Sequence, residues 1–141
     1  MKQIPKLLLR FRIRILTNKN ILALAGFLLG LGVALGAFGA HIMENILTPD
    51  RLETWETAVF YHTWNSLGLI LIVLVSKQFS INLKSVCVLI LFGIFFFSGS
   101  LYLLCVTGMG WLGAITPIGG VALISGWITF GWKITRVAEV R

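Results

Sequence analysis

Four long apolar stretches, separated by short polar connections, make up most of the chain. They run over residues 20–40, 57–75, 85–106 and 113–132, and none of them contains Asp, Glu, Lys or Arg. A helix needs roughly 20 mainly apolar residues to cross a hydrocarbon core about 30 Å thick, and each stretch meets that length. The pattern predicts an all-α polytopic membrane protein, a bundle of four transmembrane helices. Residues 1–19 are then a basic N-terminal extension, 20–133 one transmembrane domain and 134–141 a short tail. Within the stretches the polar residues are not scattered. Nearly all the uncharged polar side chains fall in the half of the bundle that holds the first and third connections, and the other half is almost entirely Leu, Ile, Val and Phe.

Composition removes the main competitor. Of 141 residues, 57% are hydrophobic and 12% charged, too little polar surface for a soluble domain of this length. Charge then orients the bundle. Residues 1–19 hold six basic residues and no acid, the second connection adds Lys77 and Lys84, and the tail adds Lys133, Arg136 and Arg141. The other connections hold Arg51 beside Glu44, Asp50, Glu53 and Glu56. Eleven of the twelve basic residues lie on one side if both termini are cytoplasmic, as the excess of Lys and Arg in cytoplasmic loops requires. The expected location is the bacterial inner membrane, and the net charge of +7 serves orientation, with no nucleic-acid partner. The apolar run after the basic start exceeds the 7–15 residues of a secretory signal, so it is read as an uncleaved first helix.

Several local features refine this frame. Gly26/Gly30 and Gly32/Gly36 are G-x-x-x-G pairs, which let helices approach closely in lipid, first within the bundle and otherwise against a second subunit. Thr48-Pro49-Asp50 opens the second helix, with Asp50 and Glu53 at capping-box spacing. Trp55, Tyr61, Trp64 and Trp111 are expected in an outer aromatic belt, and Trp127 and Trp132 in an inner one. Arg10, Arg12 and Arg14 are expected at the anionic membrane surface or against a partner protein. Cys87 and Cys105, 18 residues apart on one helix, are separated by about 27 Å and cannot pair.

The candidate chemistry is a polar cluster. His62, Asn65 and Ser66 share a face by their i, i+3, i+4 spacing, and Ser98 and Tyr102 lie one turn apart, with Ser100 turned elsewhere. His41, Tyr61 and Thr116 complete the set in the same half of the bundle. Polar groups in hydrocarbon need partners, so these side chains are expected to face one another. The first reading is a hydrogen-bonded clasp between helices; the second is a pocket holding a lipid, quinone, pigment or other small ligand. No catalytic set, metal site or cofactor is predicted: the chain offers two histidines and no span holds a carboxylate, and no nucleophile–base pair or phosphate loop occurs.

The quoted pieces "ALGAFGAH" (residues 34–41), "WETAVFYHTWNSLGL" (55–69), "FFSGSLYLL" (96–104), "TPIGG" (116–120) and "GW" (126–127) stand in one order and spacing. With them the chain, over residues 20–133, resembles the small four-helix membrane-protein family called domain of unknown function 423, with bacterial members and similar mitochondrial ones. The resemblance implies a four-helix inner-membrane protein and carries no activity. Tyr61 and His62 match the family's second-helix pattern, but Asn65 stands where a histidine is common, which removes a proton relay or transition-metal ligand from that position. Residues 1–19 are a second departure, since similar proteins begin close to the first helix. The leading expectation is a non-enzymatic accessory or assembly subunit of a larger membrane complex, in contact with other subunits or with its own copies. A ligand-binding or transport protein is the alternative.

Overall fold

The computed structural model describes residues 17–137, all helix and connection. Four helices are long and apolar enough to cross a membrane: α1 (Asn18–His41), α2 (Pro49–Gln78), α3 (Lys84–Thr107) and α4 (Thr116–Ile134). Short 3-10 turns, Met43–Asn45 and Gly110–Ala114, precede α2 and α4. Arg10, Arg12 and Arg14 lie outside the described residues.

The helix limits follow local chemistry. Thr17 caps α1, its side chain accepting from Asn20 N at 3.2 Å. α2 starts two residues earlier than its Asp50/Glu53 spacing suggested. Thr48 takes the extended cap conformation and Pro49 the first helical position, where its fixed φ and missing N–H are harmless, so Asp50 sits inside the first turn. α2 is 30 residues long, about 45 Å, and exceeds the hydrocarbon core by several turns. α3 ends at Gly108, whose φ of 72° is the left-handed conformation that closes many helices.

Successive helices pack antiparallel. Gly32, Gly36 and Gly39 of α1 meet Thr63, Val59 and Trp55 of α2 in reverse order. Gly93, Phe97 and Ile90 of α3 likewise meet Leu123, Gly119 and Gly126 of α4. α1 therefore leans on α2, α2 on α3 and α3 on α4, and α1 is the least buried of the first three. This corrects the expectation for Gly26 and Gly30: neither has a neighbour within 4 Å of its would-be Cβ, because both look away from α2. Gly32 and Gly36, half a turn round, occupy the helix contact.

Two apolar clusters make the core. One gathers Ile21, Ala25, Leu69, Ile72, Val73, Val86, Cys87, Ile90, Ile94 and Leu123 near the end that carries Lys19, Lys77, Lys84 and Lys133. At this end Lys133 Nζ donates to Asn82 O at 2.9 Å and Ser85 Oγ at 3.1 Å, tying α4 to the α2–α3 turn. The smaller cluster holds Met43, Trp55 and Cys105 at the opposite end, where Arg51 Nη1 donates to Leu104 O at 3.4 Å. Phe27, Val33, Val121, Ile124 and Ile128 turn outward, an arrangement suited to lipid contact. Trp55 is a second correction. It is 3% exposed and lies in the core, its indole Nε1 donating to Leu35 O at 3.0 Å. Tyr61, Trp64, Trp111 and Trp132 remain on the outside.

Candidate functional site: a polar layer beneath a lateral groove

Between the two apolar clusters lies a layer containing His62, Asn65, Ser66, Ser98 and Ser100, all buried. The layer does not converge on one point; it resolves into three pairings, each across a different helix contact. Between α2 and α3, His62 Nδ1 and the Tyr102 hydroxyl are 3.2 Å apart. Between α2 and α4, Trp127 Nε1 donates to Asn65 Oδ1 at 2.9 Å, while Asn65 Nδ2 donates to Tyr61 O at 2.8 Å. Between α3 and α4, the Ser100 and Thr116 hydroxyls are 2.8 Å apart, and Ser100 also donates to Phe97 O at 3.0 Å. Ser66 turns back on its own helix and donates to His62 O at 2.7 Å.

Geometry divides the candidate residues accordingly. His62, Ser98 and Tyr102 come together, whereas Asn65 and Ser66 point to other surfaces of α2 and Ser100 and Thr116 form a separate pair. His41 lies exposed at the end of α1, its carbonyl accepting from Asn45 Nδ2 at 3.2 Å, and takes no part in the layer. Tyr61 supplies its carbonyl, while its ring is exposed and packs on Phe97 with centroids 4.7 Å apart. Among the described residues no group of three or more His, Cys, Asp or Glu side chains gathers as a metal site would need.

Trp127 is the member that sequence reasoning assigned to the inner belt. Its ring lies over Gly68, where an added Cβ would meet Cη2 and Cζ2 at 2.6 Å. Trp55 lies over Gly39 in the same way, with Cδ1 at 2.8 Å. A glycine on the neighbouring helix admits each ring, and helical spacing within one helix cannot show that. The Asn65–Trp127 bond lends itself to a double-mutant cycle of Asn65→Leu and Trp127→Phe. The expected coupling is about 0.6–1.7 kcal/mol, the range of hydrogen bonds between membrane helices. Additive losses on chemical unfolding would show that the bond contributes nothing.

A groove of about 300 Å³ opens sideways between α1 and α3, at the low end for small-ligand pockets. Leu24, Leu28, Leu31 and Leu35 form one wall, and Leu91, Ile94, Phe95 and Gly99 the other. Phe95, 72% exposed, stands at its mouth. His62, Ser98 and Tyr102 close its floor. Two floor atoms, His62 Nε2 and Ser98 Oγ, are buried without a hydrogen-bond partner among the described residues. The Leu28 carbonyl lies near the imidazole, but no hydrogen bond reaches Nε2. A buried polar group left unpaired costs about 1–3 kcal/mol, so the free floor carries a standing penalty that a bound group can remove.

Comparison with known proteins agrees with a membrane protein. A family model described as "Protein of unknown function (DUF423)" matches residues 35–120. A UPF0382 membrane protein of Staphylococcus saprophyticus is 50% identical over 98 residues, covering 70% of this chain and 82% of its own. The UPF0382 membrane protein YwdK of Bacillus subtilis is 46% identical over 101 residues, covering 70% and 81%. No solved structure matches.

Proposed function

Because the chain belongs to the DUF423 family, whose bacterial relatives are membrane proteins, we propose that it is a membrane-embedded binding protein for a small lipophilic ligand, held in the groove between α1 and α3. The observation that carries this reading is the floor: two buried polar atoms without a partner among the described residues, His62 Nε2 and Ser98 Oγ, beneath an apolar groove that opens to the side of the bundle. The groove gives an apolar molecule a path from the bilayer, and the floor gives its polar end somewhere to stop. The distribution of charge supports placement in the inner membrane with both termini cytoplasmic: Lys19, Lys77, Lys84, Lys133 and Arg136 occupy one end, and four acids with Arg51 occupy the other. No step of catalysis belongs to this reading, and binding accounts for all the polar groups it uses.

Gly99 offers the test. It lines the groove, and an added Cβ there would meet nothing within 4 Å, so Gly99→Phe fills the cavity without pressing on the protein near the backbone. Mass spectrometry of lipids and cofactors co-purified in mild detergent should show a species retained by the native protein and absent from Gly99→Phe. Equal retention by both would remove the groove from consideration. The same preparation addresses a second reading, an accessory subunit of a larger complex, which the outward-facing, unpartnered Gly26 and Gly30 favour. That reading expects a larger particle, with other chains present in fixed proportion, which Gly30→Leu disperses.

A further inference from the structure

Resting on the binding reading above, we infer that the ligand's polar end is an uncharged hydrogen-bond acceptor, the ring carbonyl of an isoprenoid-type quinone. Charge excludes the common alternatives first. Among the described residues no Lys, Arg, Asp or Glu lines the groove. A phosphate or carboxylate head would therefore be buried without a counter-charge from the lining, and an ammonium head without a carboxylate, each with its desolvation uncompensated. Ser98 lies nine residues before the end of α3, about 14 Å along the axis, too far below the helix end for a charged head to stay hydrated.

The hydrogen-bond roles then select an acceptor. The Tyr102 hydroxyl and His62 Nδ1 share one hydrogen bond at 3.2 Å. A phenol is a good donor and a poor acceptor, because its oxygen lone pair is delocalised into the ring, whereas an imidazole nitrogen is a strong acceptor. Tyr102 therefore donates to Nδ1, which places the imidazole proton on Nε2. The atom left over at the floor is an N–H donor. Ser98 contributes an O–H, and unlike Ser66 and Ser100 it is not engaged by a carbonyl of its own helix. Two donors beneath one cavity match a carbonyl oxygen, which carries two lone pairs. The surroundings suit the rest of such a molecule: a flat ring fits beside Phe95 and Tyr102, and the leucine wall of α1 suits an isoprenoid chain. Both donor atoms are buried, so a small outward shift of the lining side chains accompanies binding. α1, which packs on α2 and hardly on α3, allows that shift.

The test uses the full-length protein in nanodiscs and three probes: a 1,4-naphthoquinone bearing one isoprenyl unit, the corresponding quinol, and the same hydrocarbon skeleton without oxygen. Binding is read from the rise in the unfolding midpoint with probe content and from the ¹⁵N resonances of the imidazoles, which number two in this chain. The native protein is expected to show a protonated Nε2 at His62 that shifts with quinone and not with hydrocarbon. Quinone should bind about tenfold tighter than quinol, and Ser98→Ala should weaken quinone binding about tenfold while leaving hydrocarbon binding unchanged. Gly99→Phe should abolish binding of all three. Quinone and hydrocarbon binding alike, or quinol binding more tightly, would overturn the acceptor assignment while the groove stands. No binding of any probe, or binding indifferent to Gly99→Phe, would overturn the binding reading itself. A His62 imidazole protonated on Nδ1 would overturn the donor assignment directly.

Discussion

Gly119→Ala is expected to unfold the α3–α4 half of the protein under conditions where the native chain is stable. The Cβ of an alanine there would overlap the Phe97 amide nitrogen and lie 2.6 Å from the Phe96 carbonyl carbon and 2.7 Å from Phe97 Cα. These are main-chain atoms, and no side-chain rotation relieves the overlap. α4 must move away from α3 as a whole, and the contact loosens along its length. Leu123 withdraws from Gly93, Ile90 withdraws from Gly126, and the Ser100–Thr116 hydrogen bond parts. Overpacking usually costs about 1–3 kcal/mol; a backbone overlap in the first turn of α4, where it crosses the middle of α3, is expected at about 3 kcal/mol or more. Unfolding in mixed micelles with increasing denaturing detergent measures it. Gly131→Ala is the matched control: it lies on the same helix with nothing within 4 Å of its would-be Cβ, and should be neutral or slightly stabilising. Equal stability of the two variants would mean that α3 and α4 do not approach this closely.

Trp55→Ala should cost about 3–5 kcal/mol, the range for emptying a buried tryptophan site. The ring sits at the junction of three helices. It lies against Phe38 of α1 at 6.0 Å between centroids and against Tyr102 of α3 at 4.9 Å, edge-on at 62°. Its indole nitrogen donates to Leu35 O at 3.0 Å, a hydrogen bond that joins α1 to α2. Trp55→Phe keeps an aromatic body and loses that hydrogen bond, so its cost should be much smaller. Trp64→Ala, on the exposed outer surface of α2, should be close to neutral for folding. Because Tyr102 also holds His62 Nδ1, Trp55→Ala is expected to disturb the groove floor as well, and Trp55→Phe to leave it in place. If Trp55→Ala proved no more harmful than Trp64→Ala, the ring would belong to the membrane interface and not to the core.

The polar layer illustrates why a membrane bundle is informative about its own interior. In water, a serine or asparagine in mid-helix can point outward at little cost. In hydrocarbon it cannot, so each polar residue in a span must find a partner or carry a penalty. Asn65, Ser100 and Thr116 find theirs on neighbouring helices. Among the described residues His62 finds one partner for two nitrogens, and Ser98 finds none. That shortfall, and not the mere presence of a histidine in a span, separates a candidate ligand site from a helix clasp.

Length and composition alone determined that four helices are long and apolar enough to cross a membrane, because the thickness of the hydrocarbon core sets how many apolar residues a span must have and charge is excluded from it. They also determined which residues would be polar in the spans and in which half they would lie. The i, i+3, i+4 spacing of His62, Asn65 and Ser66 placed these residues on one side of α2, but that arc is wide enough to touch more than one neighbour. Which neighbour each one meets depended on how the helices are rotated and ordered around α2, and tertiary packing decided that: His62 faces α3, Asn65 faces α4. The roles of the tryptophans and glycines were equally a matter of packing. Trp55 is drawn inward because Gly39 leaves room on the opposite helix, Trp127 stays 38% exposed while the edge of its ring rests over Gly68, and Gly26 and Gly30 stay outside because Gly32, Gly36 and Gly39 occupy the face that meets α2. Periodicity describes one helix at a time, and these choices depend on the space between two.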